Sequence, residues 1–317
     1  MSREKIILDT DVGTEVDDAI TIAYLLANPE AELLGITTVT GEAMERAKIA
    51  SAICKAAGKT VPIHPGCENP ILLPQLELYA PQKKILEKWD HERNFVPNSA
   101  VAFMQETIHR YPHEITLLCI APLTNIALLF AIDPEIPKLL KRLVLMCGSP
   151  AYARFDGAGE KMSAMQNSDC IVLGSKGVLE NNALIDPHAT ELVYRAAVKE
   201  HITFGLNVTS RLAMKPSDGA RLFNSPILAP VMDIAQEWFA DEQRLTFHDP
   251  LAAVTLFNPE ICTFQKGKMK IETESKLLSG FTYWSPDVMG QHEVAVDVNK
   301  ELFFNKLTNV FTQGGIS

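Results

Sequence analysis

Residues 5–8 form a short apolar run that stops at Asp9, and two helix-patterned stretches with a β-branched run between them follow in close order. Residues 17–28 carry apolar side chains at helical spacing, residues 32–39 read as a second strand, and residues 42–58 read as a helix ending at Gly58. Strand–helix–strand–helix from the first residues calls for a parallel sheet with right-handed crossovers. The alternation continues through strands at 115–121 and 143–147 with a helix at 123–131 between them. A helix capped by Asp186 and started by Pro187, a strand at 202–207 and a helix at 250–257 come next. Short strands at 268–273, 280–283 and 293–298 predict a small antiparallel appendage, and residues 301–311 a closing amphipathic helix. The expected fold is α/β: an open, mostly parallel, Rossmann-like sheet with helices on both faces. Residues 1–317 read as one domain, because no repeat or linker interrupts them. Residues 67–97 and 150–178 lack pattern and are long enough to be lids or substrate loops.

In such a sheet, ligands bind beyond the carboxyl ends of the strands. The first strand delivers Asp9-Thr10-Asp11-Val12-Gly13-Thr14-Glu15-Val16-Asp17-Asp18 to that edge. A helix cap needs one aspartate, not four with a glutamate. Carboxylates this dense repel one another, and a hard cation such as Ca²⁺ or Mg²⁺, which takes six to eight oxygens, removes the repulsion. Three more segments end on the same side: Thr40-Gly41-Glu42, Pro122-Leu123-Thr124-Asn125, and His248-Asp249-Pro250. Together they offer carboxylates, an amide, a backbone carbonyl and one imidazole.

Charge narrows the partners. Lys and Arg total 29 against 39 Asp and Glu, a formal charge of −10. An acidic chain repels polyphosphate backbones, so nucleic acid is not expected, and a small neutral or cationic ligand fits better. No run approaches the roughly 20 apolar residues of a membrane span, and no signal-peptide pattern opens the chain. Six cysteines without CxxC spacing suit a reduced, cytoplasmic protein rather than a disulfide or zinc framework.

The motifs, in their order, resemble the inosine-uridine preferring nucleoside hydrolase family over roughly residues 5–298. The resemblance rests on the opening aspartates, Ile36-Thr37-Thr38-Val39 with Gly41, and residues 62–66 (PIHPG). It continues through 122–127 (PLTNIA), Asp133-Pro134, 142–148 (RLVLMCG), 180–187 (ENNALIDP), 206–209 (LNVT) and His248-Asp249-Pro250-Leu251. It implies hydrolysis of the N-glycosidic bond of a ribonucleoside by a homodimer or homotetramer. Asp11, Asp18, the Thr124 carbonyl and Asp249 are implied as Ca²⁺ ligands, with Asp9 supporting the loop. Asp17 and Asn182 would bond ribose hydroxyls, Glu180 the 5′-hydroxyl, and Met146 would line the sugar pocket. Asp11 would be the general base for a Ca²⁺-bound water, and His248 the acid for the departing base.

The chain departs from the family pattern in four places. The loop between Asp11 and Asp17 is two residues longer, which adds Glu15. Glu42 stands where many members have Asn or Asp, and as a substrate-binding residue it would accept from a ribose hydroxyl or the metal's water with a longer reach. Asn181 replaces an aromatic residue. Residues 77–93 lack the His-Gly loop that contacts the base, leaving Trp89 and His91 as substitutes or as packing residues. Two other functions compete. Asp9-Thr10-Asp11-Val12-Gly13-Thr14 also resembles the nucleophile loop of haloacid dehalogenase-type Mg²⁺ phosphatases, with the Thr one position late and Asp9 as nucleophile. A non-catalytic nucleoside-binding protein on the same fold is the other.

Overall fold

The computed structural model describes residues 3–150, 171–172, 177–215, 225–241 and 244–313. Most of the expected loop at 150–178 therefore lies outside the described residues. The chain runs β1 (Glu4–Thr10), α1 (Asp17–Ala27), β2 (Ala31–Thr38), α2 (Ala43–Ala56) and β3 (Ile63–Pro65). After a 3-10 segment at Pro81–Glu87 come α3 (Ala100–Arg110), β4 (Ile115–Cys119), α4 (Thr124–Ile132), α5 (Ile136–Leu139) and β5 (Arg142–Met146). Next are β6 (Ile171–Val172), β7 (Gly177–Leu179), α6 (Asn181–Ile185), α7 (Pro187–Arg195), β8 (His201–Phe204) and α8 (Leu206–Thr209). The last third holds β9 (Ala213–Met214), α9 (Ala229–Asp241), β10 (Leu245–Thr246) and α10 (His248–Thr255). It ends with β11 (Cys262–Ile271), β12 (Phe281–Pro286), β13 (His292–Val298) and α11 (Lys300–Gln313).

The main sheet has the order β3-β2-β1-β4-β5-β8-β13-β11-β12-β7-β6, and β9 pairs with β10 alone. From β3 to β13 all neighbours are parallel. β11, β12, β7 and β6 then add on antiparallel. The expected C-terminal antiparallel strands are thus present, and they extend the central sheet. The chain winds outward from β1 to β3 and then returns to place β4 on the other side of β1. The crevice between β1 and β4 is the switch point where a ligand site is expected.

Helices cover both faces, and β1 shows why. Ile6 and Leu8 join one core with α1, α2, α10 and α11, while Ile7 joins another with α3, α4 and α7. A strand with both faces buried needs the continuous apolar run seen here. Each fully buried Leu or Ile contributes about 1.5–3 kcal/mol. One expected strand is shorter than its sequence pattern: β8 stops at Phe204, and residues 206–209 turn into α8. Gly205 allows this, since a Cβ there would sit 2.6 Å from the Gly148 carbonyl oxygen.

Candidate active site

The apolar run of β1 carries Asp9 to the middle of the sheet's carboxyl edge, opposite Thr37 on β2 and Cys119 on β4. Asp9 is fully buried. Its Oδ1 accepts from the Thr37 hydroxyl and, at 2.8 Å, from Asn125 Nδ2, while its Oδ2 has no partner. Burial pushes its pKa up to about 7. Asp9 is tied to Thr37 on β2 and to Asn125 on α4. It has no exposed surface to attack a phosphoester, so the phosphatase reading has no nucleophile.

Beyond Asp9 the chain turns through Asp11 into α1, whose first turn carries Asp17 and Asp18. Asp249, in the first turn of α10, arrives from the other end of the chain. Asp17, Asp18 and Asp249 are all buried and offer oxygens within 4.8 Å of one another. Asp17 Oδ2 accepts from the backbone N–H groups of His248 and Asp249 at 3.0 and 3.1 Å, which locks α10 against α1. The Thr10 hydroxyl donates to Asp18 Oδ1 at 2.5 Å.

Burial raises the pKa of Asp18 well above 3.8, and the charges of Asp11 and Asp17 add to it. Burial does the same at Asp249, helped by Asp17, Asp18, Asp11 and Glu15. Asp11 rises to about 8, from burial first and then from the charge of Glu77. These groups resist ionising together, the condition that a bound cation relieves. The donor set is all oxygen, which suits a hard ion. Oxygens each about 2.3–2.6 Å from one Ca²⁺ stand up to about 5 Å apart, so the observed spacing fits.

The structure thus brings Asp18 and Asp249 together as expected, with Asp17 as the third member of the compact group. Asp11, nearly buried, is close enough to raise the pKa of both Asp18 and Asp249. Thr124 opens α4, and its hydroxyl donates to Asp186 at 2.7 Å. A helix assigns that residue's carbonyl to the ladder, so a cation would use the carbonyl's second lone pair.

Among the residues expected to meet the sugar, Glu180 caps α6, and its carboxylate accepts from the N–H groups of Asn182, Ala183 and Gly148 at 2.8, 3.1 and 2.7 Å. Asn182 donates to the Met146 carbonyl at 2.8 Å, so these three expected residues are neighbours. His248 Nδ1 meets the Thr209 hydroxyl at 2.7 Å. Burial lowers the pKa of His248, against the pull of Asp17. Glu42 accepts from the Ala80 N–H at 2.9 Å and pairs with Lys83 at 2.5 Å. Its longer side chain reaches the segment 80–83, where Asn or Asp would stop short. Trp89 packs against the core and donates to Asp233 at 2.7 Å, so it serves as a packing residue.

Three residues at this edge escaped the sequence reading of individual roles. Asn125 is fully buried and ties Asp9, the Thr38 carbonyl (3.0 Å) and the Cys67 N–H (3.0 Å) together. Its place in PLTNIA was the available signal. Arg46 is fully buried, yet in sequence it is one more charge on an amphipathic helix. Glu77 lies in a segment without pattern and shows itself only through its neighbours.

The family model for inosine-uridine preferring nucleoside hydrolases matches residues 6–305. Uridine nucleosidase 1 of Arabidopsis thaliana is 27% identical over 298 residues, spanning 86% of this chain and 79% of that protein. The non-specific ribonucleoside hydrolase RihC of Salmonella newport (strain SL254) is 29% identical over 289 residues, 87% of this chain and 86% of that one. Among solved structures, the purine-preferring ribonucleoside hydrolase from Gardnerella vaginalis superposes with a TM-score of 0.75 at 22% identity. That superposition covers 99% of this chain and 100% of that one, and at this identity it speaks for the fold. With the family model spanning nearly the whole chain and the acidic cluster at the switch point of the sheet, the protein belongs to the inosine-uridine preferring nucleoside hydrolase family.

Proposed function

We propose that the protein hydrolyses the N-glycosidic bond of a ribonucleoside, giving free base and ribose, with Ca²⁺ as its resident metal. The observation that carries this is the buried triplet Asp17, Asp18 and Asp249 beside Asp11, held by a family fold at the topological switch point. Asp11, Asp18, Asp249 and the Thr124 carbonyl would hold the cation. Asp17 Oδ2 is bonded to the backbone of His248 and Asp249, and the carboxylate's remaining acceptor positions would take a sugar hydroxyl. When bound, Ca²⁺ supplies a fixed positive charge that orients sugar hydroxyls and lowers the pKa of a water.

The chain's own residues account for the remainder. Breaking the N-glycosidic bond leaves oxocarbenium character on the sugar, and the surrounding carboxylates stabilise it electrostatically. Asp11 accepts the proton from the attacking water. His248 holds the proton for the leaving base, and its lowered pKa makes that protonated form scarcer as pH rises. Asn182, Glu180 and Met146 shape the sugar end. Because Glu180 is committed to three backbone N–H groups, a 5′-hydroxyl would bond to a lone pair left over on it.

We place the protein in the cytoplasm as a homodimer or homotetramer. The described cysteines are free thiols, which supports a reducing compartment. Among the described residues no helix is long and apolar enough to cross a membrane. Exposed apolar side chains at Leu72, Leu76, Leu78 and Tyr79 support self-association. A reducing-sugar assay over purine and pyrimidine ribonucleosides, with and without chelator, tests the activity. Ribose release that stops on chelation is expected. A nucleoside bound but never cleaved would favour the binding-protein reading instead.

A further inference from the structure

Residues 77–82 are strapped to the loop that carries Asp11 by Arg46 and Gln82. Arg46, fully buried, donates to the carbonyls of Asp11, of Gly41 (2.8 Å) and of Tyr79 (3.4 Å), and to the Thr14 hydroxyl at 3.0 Å. Gln82 adds bonds from its backbone N–H to the Gly13 carbonyl and from its side chain to the Thr14 carbonyl, both 3.0 Å. The strap's backbone lies so close that a Cβ on Gly41 would stand 2.2 Å from the Glu77 carbonyl oxygen. The longer Asp11–Asp17 loop is thereby held at Gly13 and Thr14.

The strap delivers the Glu77 side chain to a particular place. Its Oε1 accepts from Asn181 Nδ2 at 2.8 Å, on the segment that carries Glu180 and Asn182. Its Oε2 lies 3.4 Å from the Thr14 hydroxyl and 3.8 Å from Arg46 Nη2, on the side of Asp11. Glu77 therefore stands where the metal-side loop and the sugar-side segment come within one side chain of each other. A carboxylate has about four acceptor positions, and this one uses one short bond, one long bond and one loose ion pair. Its side chain stays 20% exposed, whereas Asp9 and Glu180 are buried.

We propose that Glu77 is a specificity-determining residue of the nucleoside site, accepting a hydrogen bond from a donor on the bound nucleoside. The proposal rests on the nucleoside hydrolase reading. The donor is either a sugar hydroxyl or a base N–H, and both present the same chemistry to the carboxylate. Arg46 and Asn181 act as positioning residues that hold the Glu77 carboxylate in place.

The test compares kcat/KM of wild type, Glu77→Gln and Glu77→Ala on inosine and uridine, on their 5′-deoxy analogues, and on 1-methylinosine and 3-methyluridine. Wild type should prefer the parent over one analogue class by roughly 10- to 100-fold, the range of a hydrogen bond to a charged group. The alanine variant should bring that ratio close to one, chiefly through KM. Whichever class loses its penalty identifies the donor. Equal losses on parents and analogues would mean a clasp without a substrate contact, and the proposal falls. Circular dichroism and melting curves show whether each variant folds; if Glu77→Ala does not, Glu77→Gln, which can still accept from Asn181, carries the comparison. If wild type cleaves nothing, the hydrolase reading fails by itself. The same ratios are then measured as dissociation constants by calorimetry, and unselective or absent binding overturns this proposal too.

Discussion

Asp9→Asn should change how stability depends on pH, by an amount the buried environment sets. In the folded chain Asp9 has no exposed surface, and burial raises its pKa from 3.8 to about 7. Folding therefore favours the protonated carboxyl. Because the folded pKa is the higher one, the stabilisation is fully present below about pH 4 and is lost as pH rises through about 7. That interval corresponds to about 4 kcal/mol. Asparagine keeps the oxygen that accepts from Thr37 and Asn125 and has no charge to bury. In chelator, wild type should lose about 4 kcal/mol more than Asp9→Asn between pH 4 and pH 8. For a chain of 317 residues, with an unfolding entropy near 2 cal/mol/K per residue, this difference is about 6 °C in Tm. Thermal unfolding by circular dichroism across that range reads it directly. Asp11, Asp17, Asp18 and Asp249 titrate in both proteins, so the difference isolates Asp9. Parallel pH profiles would refute the reasoning, because they would mean that the Asp9 carboxylate is not desolvated.

Four further outcomes are expected. Asp249→Asn removes one carboxylate of the triplet and should lower kcat/KM at least about 100-fold, partly recovered at high Ca²⁺; steady-state ribose release checks it. His248→Gln should lower kcat about 10²–10⁴-fold on nucleosides with poor leaving bases, and a log kcat plot against leaving-group pKa should steepen. Gly41→Ala should cost about 1–3 kcal/mol in urea unfolding, since its Cβ meets the Glu77 and Leu78 carbonyls at 2.2 and 2.6 Å. Glu42→Gln should leave kcat within about threefold, because the Lys83 partner is a half-exposed surface pair worth no more than about 1 kcal/mol.

The parallel architecture was legible because period and composition agree in the buried strands. Residues 6–8 are apolar without alternation, and Ile6, Ile7 and Leu8 are indeed buried on two faces. Asp186 capping a Pro-started helix was equally plain, and its side chain accepts from the Ala189 N–H at 3.0 Å. The site was legible as a set of strand tips, and Asp18 and Asp249 meet there across the length of the chain. Hydrogen-bond direction was not. Nothing in the sequence says that Asp17 caps α10 with one oxygen, or that Glu42 turns to Lys83. Arg46 was hidden because a buried guanidinium is decided by tertiary carbonyls, which leave no local pattern. Glu77 was hidden for the related reason that residues 67–97 are placed by long-range bonds rather than by periodicity.

The central claim is a cation shared by carboxylates from the first and last thirds of the chain. Crystals grown with Ca²⁺ and measured at long wavelength test it most directly, through anomalous scattering. The account predicts one strong peak about 2.3–2.6 Å from carboxylate oxygens of Asp18 and Asp249, with Asp11 in contact. A map with no peak among these aspartates at millimolar Ca²⁺, in crystals that still cleave nucleoside, would contradict it.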